Sequence, residues 1–251
     1  MSIVWNARQQ QMLERLEADG EIKVAEMKEL FGVTEMTIRR DLEKLEQAGA
    51  VRRTFGGAIL VGKDVTLQDR SGVLTDEKIC IGRKAAELVQ PGDSIFIDGG
   101  STTLQLARAL KPGMDITVVT NALNVAGELM EKRIPTIVAG GIILESTSTL
   151  VGPIACETIG SMAFNRIFLG ATGVSGVHGF SNSNVYEAEI KKLAIRQASE
   201  VNIVLDHSKF GANVLISFAE LSKAQRIITD RLPDQELLDA CREAGIELLK
   251  C

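Results

Sequence analysis

Residues 33–58 read VTEMTIRRDLEKLEQAGAVRRTFGGA. Thr34 stands where a helix needs an N-cap, and Thr37 falls in the turn that follows. Ile38, Leu42 and Leu45 recur at helical spacing, which turns them together towards a core. Arg39 and Arg40 leave the helix on other faces, near its start. A short helix anchored by one apolar face, with a polar and cationic edge, suits the major groove of DNA. The glycine at position 49 ends the helix, and 51–53 and 58–60 read as two strands joined through 54–57. Gly56 and Gly57 let that hairpin turn tightly.

Working outward towards the N-terminus, Met12, Leu13 and Leu16 form the stripe of a helix over about 7–18, ending near Asp19-Gly20. A short extended piece follows at 22–24. A second helix covers about 25–31, with Met27, Leu30 and Phe31 expected inward, and Gly32-Val33 makes a tight turn before the helix at 35–47. Three helices followed by a hairpin make a winged helix-turn-helix over 1–60. In that geometry Glu35, Met36, Thr37 and Arg40 meet base edges, where an arginine paired to guanine discriminates by about 1–3 kcal/mol. Arg39 can reach base or phosphate. Arg52 and Arg53 on the wing are placed for phosphates, which set register and make binding salt-dependent. The competing reading of RRDLEKLE is a solvated helix face, with Asp41 and Lys44 close enough to interact.

Charge places a limit on the first reading. The chain of 251 residues carries a net charge of −5, and residues 1–60 hold nine Lys/Arg against ten Asp/Glu. Attraction to DNA must therefore come from local placement: 36–60 holds five cations against three carboxylates. At 45% hydrophobic and 24% charged, the composition is that of a globular protein with a sizeable core. Four dispersed cysteines, two histidines and no CxxC spacing argue against a zinc site, so no metal is expected. The simplest expectation for the cysteines is reduced thiols in a cytoplasm. The N-terminus shows no signal-peptide pattern, and no stretch reaches the ~20 apolar residues of a membrane helix.

Residues 61–74 have no clear period and hold several turn formers, so they read as a linker. From 75 to 251 the pattern changes. Apolar runs at 94–98, 116–120, 136–139, 166–170, 201–206, 226–229 and 246–249 alternate with helical segments at 77–89, 102–110, 122–132, 154–162, 185–199 and 234–244. Such alternation predicts an α/β fold with a doubly wound, mostly parallel sheet covered on both faces. Ligands in such sheets sit at the carboxyl ends of strands.

The TIRRDLEKLEQAGAVRR stretch with its following GGA resembles the DeoR family of bacterial transcription regulators. Arg70, Glu77-Lys78, DGGSTT at 98–103, TN at 120–121, GG at 140–141, the 187–191 segment and DHSKFG at 206–211 fall in family order, so the resemblance covers nearly the whole chain. Thr34 stands where the family commonly has serine, and Phe55 where histidine is frequent. The resemblance implies a DNA-binding regulator, most often a repressor of a carbohydrate or polyol operon. Its second domain would sense a phosphorylated sugar or polyol in a fold similar to ribose-5-phosphate isomerase and glucosamine-6-phosphate deaminase. A homodimer or homotetramer on double-stranded operator DNA is implied as well.

DGGSTT follows an apolar strand and opens a helix, which suits an anion. The amides from Gly99 and Gly100 into Ser101 and Thr102, with the hydroxyls of Ser101, Thr102 and Thr103, favour phosphate. The same residues also suit a simple strand-to-helix turn. Asp98 can accept a sugar hydroxyl. The lack of a Lys-Ser/Thr pair disfavours a nucleoside triphosphate, and no cofactor is expected. Lys209, after Asp206, can offer a positive charge. Thr120 and Asn121 can add hydrogen bonds, Gly140 and Gly141 permit close backbone approach, and Lys78 either reaches the pocket or caps its own helix. Glu187 and Lys191 sit one turn apart, a spacing typical of a helix-surface pair. His178 lies in a glycine-rich loop with a neutral role.

The isomerase-like relatives raise catalysis as the alternative: a sugar-phosphate isomerase with an accessory DNA-binding domain. Isomerisation needs a positioned carboxylate base. Where isomerases carry acidic residues, this chain has Ala171, Thr172, Gly173 and Ser175. Glu187 and Glu189 remain, without an acidic partner nearby in sequence, and the expectation is binding without turnover.

Overall fold

A computed structural model describes residues 5–19, 21–47, 51–54, 56–60, 67 and 72–251. The chain divides into two compact units, Met1–Val73 and Leu74–Cys251. The residues read as a linker lie almost entirely outside the described residues, as do Gly49, Phe55, Arg70 and the side chain of Arg52.

In the first unit α1 (Ala7–Asp19), β1 (Glu21–Lys23), α2 (Val24–Phe31) and α3 (Glu35–Gln47) precede the hairpin β2 (Val51–Thr54) and β3 (Gly57–Leu60). Met12, Leu16, Met27, Ile38, Leu42 and Leu45 are buried together, as their spacing predicted. Gly32 closes α2 in the left-handed conformation, its N–H bonded to Glu29 O, which is the glycine-terminated helix end the sequence signals. Leu30, expected inward, is exposed. Asp41, proposed as a surface partner of Lys44, is buried instead. Its oxygens accept hydrogen bonds from Arg8 Nε at 2.6 Å and Gln9 Nε2 at 3.0 Å, tying α3 to α1. The wing sheet has the order β1-β3-β2.

In the second unit the seven apolar runs become β4 (Ser94–Ile97), β5 (Thr117–Thr120), β6 (Thr136–Val138), β9 (Phe164–Gly170), β12 (Ala198–Val204), β14 (Arg226–Thr229) and β15 (Glu247–Lys250). They form one parallel sheet in the order β15-β14-β12-β9-β4-β5-β6. The pleat alternates side chains between two cores. Ile95 and Ile97 join Ile81, Leu106, Val125 and Leu129 from α4 (Thr75–Ala86), α5 (Ser101–Ala109) and α6 (Leu123–Glu131) on one face. Phe96 joins Ala155, Ile159, Ile190, Ala194 and Leu237 from α7 (Pro153–Gly160), α8 (Val185–Arg196) and α9 (Gln235–Glu243) on the other. Two smaller sheets were not legible in the pattern: the hairpin β7 (Ile142–Leu144)–β8 (Thr149–Val151), and β10 (Gly173–Ser175)–β11 (Gly179–Asn182)–β13 (Ile216–Ala219). The glycine-rich segment around His178 is thus a hairpin, and His178 Nε2 lies 2.9 Å from Val214 O.

The thiols depart from expectation. Cys80 on α4 and Cys251 after β15 form a disulfide with Cα atoms 5.8 Å apart, across 171 residues of sequence; Cys156 and Cys241 are free. Only the sheet order, which brings the last strand alongside α4, creates that proximity.

Candidate functional site: a sensor pocket and a nucleic-acid-reading face

From β4 the chain winds outward to β5 and β6, and β9, β12, β14 and β15 lie on the other side. The winding therefore reverses between β4 and β9, and that switch point is where open α/β sheets bind ligands. Asp98 follows β4, and Gly170 closes β9. Asp98, Glu187 and Lys191 meet there, all buried.

Lys191 Nζ donates to Asp98 Oδ2 and, at 2.9 Å, to Gly170 O; it also stands 5.5 Å above the Phe218 ring. Gly170 N donates to the same Asp98 oxygen at 3.2 Å. Burial raises the Asp98 carboxyl above its usual range; Lys191 opposes that shift and the Glu187 charge adds to it. Glu187 accepts from Thr149 Oγ1 at 3.1 Å and Asn182 Nδ2 at 2.9 Å. Thr172 Oγ1 completes the chain with a bond to Asn182 Oδ1 at 2.9 Å.

These contacts correct two expectations. Glu187 and Lys191 are not a surface pair, because the sides of α8 that carry them pack against strand ends. Asp98 is engaged by an ammonium group rather than standing open as a hydroxyl acceptor. Glu187 has no acidic partner nearby in sequence, as expected; its acidic neighbour in the fold is Asp98. Thr149, Asn182 and Gly170 were missed; the polar runs ESTST and SNSN were the available signal.

Gly99 is required sterically: a Cβ there would fall 2.2 Å from Thr149 Cγ2. Gly100, in extended conformation, precedes α5, and among the described residues no side chain caps that helix. The first N–H groups of α5, from Ser101 and Thr102, thus present the positive end of a helix at the switch point. Ser101, Thr102 and Thr103 are buried, and Thr103 Oγ1 is used internally, donating to Gly100 O at 3.1 Å.

Thr120 and Asn121, at the end of β5, also serve the backbone. Thr120 Oγ1 donates to Ile97 O at 2.6 Å, and Asn121 Nδ2 to Leu150 O at 3.2 Å. Asp206, buried after β12, caps the 3-10 turn His207–Lys209 by accepting from Ser208 N at 3.1 Å, which sets Lys209 at the carboxyl end of the strand beside β9. Lys78 is buried on α4. Gly140 and Gly141 are exposed between β6 and β7, at the edge of the sheet, where a Cβ on Gly141 would meet Val151 O at 2.5 Å. Their nearest neighbours, Val151, Ile154 and Ala155, belong to the hairpin and α7, not to the Asp98 cluster.

In the first unit, Thr34 and Thr37 bond through their hydroxyls at 2.9 Å, and Thr37 N donates to Thr34 Oγ1 at 3.3 Å. Glu35 and Arg39 form an exposed ion pair at 2.6 Å, one turn apart. Met36 and Arg40 are exposed beside them, and Arg40 makes no ion pair among the described residues. Arg53 is held by Glu46, through Nε at 2.6 Å and its backbone N–H at 2.8 Å, which fastens the wing to the end of α3. Gly56 takes a left-handed φ of 91° and its carbonyl accepts from Val24 N. Gly57 is needed for a different reason: a Cβ would stand 1.9 Å from Ile22 O on β1.

Residues 74–231 match the family model of the DeoR C-terminal sensor domain, and residues 8–63 that of the DeoR-like helix-turn-helix domain. The chain belongs to the DeoR family. Among curated DeoR-type relatives, the transcriptional repressor GlcR of Bacillus subtilis is 35% identical over 242 residues, covering 95% of this chain and 93% of its own. The glycerol-3-phosphate regulon repressor of Escherichia coli is 31% identical over 243 residues, covering 96% of each. Among solved structures, ribose 5-phosphate isomerase A of Methanocaldococcus jannaschii is 19% identical with a TM-score of 0.40, over 54% of each chain. No helix among the described residues is long and apolar enough to cross a membrane. The chain is thus a DNA-binding transcriptional regulator of the DeoR type.

Proposed function

We propose that this regulator represses a carbohydrate or polyol operon in the cytoplasm and that a phosphorylated sugar or polyol controls it. The observation that carries the reading is the uncapped start of α5 at the sheet's switch point, beside the buried Asp98–Lys191–Glu187 group. The phosphate takes the N–H groups from Gly99 to Thr102 and the charge of Lys209. Residues 1–60 bind the operator, 61–74 link, and 75–251 sense and oligomerise. Glu35, Met36, Thr37 and Arg40 read bases. Arg39, Arg52 and Arg53 hold phosphates, Arg39 and Arg53 after exchanging their glutamate partners for DNA. Two-fold pairing of subunits matches paired half-sites, and the effector acts by favouring one arrangement of those subunits over another.

The pocket binds without turnover. A general base needs a free carboxylate within reach of the substrate carbon. Here Asp98 is held by Lys191 and Gly170, and Glu187 by Thr149 and Asn182. The nearness of two buried carboxylates is the one observation that favours an isomerase. Thermal unfolding against a panel of sugar phosphates, with assay of ribose 5-phosphate turnover on the same samples, separates the readings. Stabilisation without product supports the sensor; turnover lost in Glu187→Ala supports the enzyme.

A further inference from the structure

Next to the anion-binding turn lies a second group of polar atoms that neither the DNA-binding nor the phosphate-binding residues use. Asn121 Oδ1, both amide atoms of Asn124, and Ser146 Oγ are buried and have no hydrogen-bond partner among the described residues. They share one place in the fold. Leu150 N donates to Asn121 O at 2.7 Å, Ala122 bridges Thr149, and Leu123 N donates to Ser148 O at 3.0 Å. Those contacts lay residues 148–150 along the approach to α6; Asn124 lies in the first turn of that helix and Ser146 in the turn that joins β7 to β8. Asn121 is wholly buried, and α6, like α5, starts without a side-chain cap. The group joins the pocket through Thr149, whose methyl limits Gly99 and whose hydroxyl donates to Glu187.

Buried polar atoms without partners are rare and costly, and several together mark a place completed by something else. The chemistry of the missing partner can be read. Asn121 Nδ2 is already spent on Leu150 O, so the amide orientation is fixed and the open atom is an acceptor. An acceptor must be met by a donor. A phosphate dianion has only acceptors and cannot satisfy it; a hydroxyl both donates and accepts, as Asn124 and Ser146 also require.

We propose that Asn121, Asn124 and Ser146 form the subsite that reads the hydroxyl-bearing carbons of the effector, distinct from the turn that takes its phosphate. The inference rests on the sugar-phosphate reading above and sorts the two ends of that ligand. Asn124 and Ser146 are the positions that choose among sugars and polyols, since each hydroxyl absent from a ligand leaves one of these atoms unpaired.

The test compares full-length protein with its Asn124→Leu and Ser146→Ala variants. Affinities for glucose 6-phosphate, fructose 6-phosphate, glycerol 3-phosphate and inorganic phosphate are measured by calorimetry, and unfolding temperature without ligand is recorded. The expected result is that the best sugar or polyol phosphate loses about tenfold or more in affinity relative to inorganic phosphate. The unliganded variants should unfold no earlier than the parent, because an unpaired polar atom has been removed. An unchanged ratio of sugar phosphate to inorganic phosphate overturns the subsite. So does an early-unfolding free variant whose ratio is unchanged, which would mean that buried water already satisfies these atoms. A parent that binds inorganic phosphate as tightly as any ester also overturns it while sparing the phosphate turn; a parent that binds none of the four overturns both.

Discussion

Replacing Lys191 by Met removes the ammonium from Asp98 and keeps most of the side-chain volume. Both side chains are 3% exposed, so no discount for solvent screening applies. At a separation of about 4 Å and an effective dielectric near 20, a unit charge pair is worth about 4 kcal/mol. Breaking a buried pair by removing one partner costs about 3–5 kcal/mol, because the other charge stays behind. The bond to Gly170 O and the contact with Phe218 are lost as well. In a unit of this size each kcal/mol moves the midpoint by about 2–4 °C, so the transition of the second unit should fall by roughly 6–20 °C at neutral pH. The loss is limited by protonation. Asp98 is already raised by burial and by Glu187, and without Lys191 it rises further. The folded variant then holds a proton that the unfolded chain releases, so its stability increases as pH falls. Calorimetric unfolding at about pH 8 and about pH 5 should show a deficit that shrinks in acid. Asp98→Asn added to Lys191→Met should recover part of the loss. A deficit under about 1 kcal/mol, or one that grows in acid, would refute the buried pair as a stabilising element of this site.

Gly57→Ala should weaken operator binding and destabilise the first unit by about 2 kcal/mol or more, because the new methyl meets the Ile22 carbonyl and β3 must leave β1; chemical denaturation followed by circular dichroism measures it, and an unchanged midpoint contradicts the packing. Arg40→Ala should cost operator affinity about 1–3 kcal/mol with the salt slope unchanged; an equal loss on unrelated DNA would move Arg40 from base reading to backbone contact. Asp230 is held below the usual carboxylate range by His207 through bonds of 2.8 and 2.6 Å, against burial, which alone would raise it. Its stabilisation is complete above the ordinary carboxylate range and is lost as pH falls through the lowered value. Asp230→Asn should therefore be less stable than the parent at neutral pH and equal to it in strong acid; a pH-independent difference would contradict that linkage.

The fold was legible where one periodicity governed one element. Ile38, Leu42 and Leu45 face a single core at helical spacing, and the runs around Phe96 and Phe168 are apolar on both faces because the sheet is covered on both. Short pieces whose stability comes from neighbours were not legible: β7 and β8 form a small two-stranded sheet, and β10 and β11 read as a glycine-rich loop. The strand-to-helix turn proposed to take phosphate was visible because its residues are contiguous. Lys191 was found but misplaced, since spacing to Glu187 says nothing of Asp98, 93 residues away. Thr149 and Asn182 escaped because the polar runs that hold them do not name their partners until the chain folds. The Cys80–Cys251 pair was hidden for the same topological reason.

Fluorescence anisotropy of the duplex upstream of the protein's own gene, titrated with full-length protein with and without sugar and polyol phosphates, is the most direct measurement. Tight, salt-sensitive binding that one phosphorylated ester weakens, with no effect of that ester on Asn124→Leu at the same concentration, is the predicted result. Binding to that duplex no tighter than to unrelated DNA, or specific binding indifferent to every ester, would contradict a metabolite-controlled repressor.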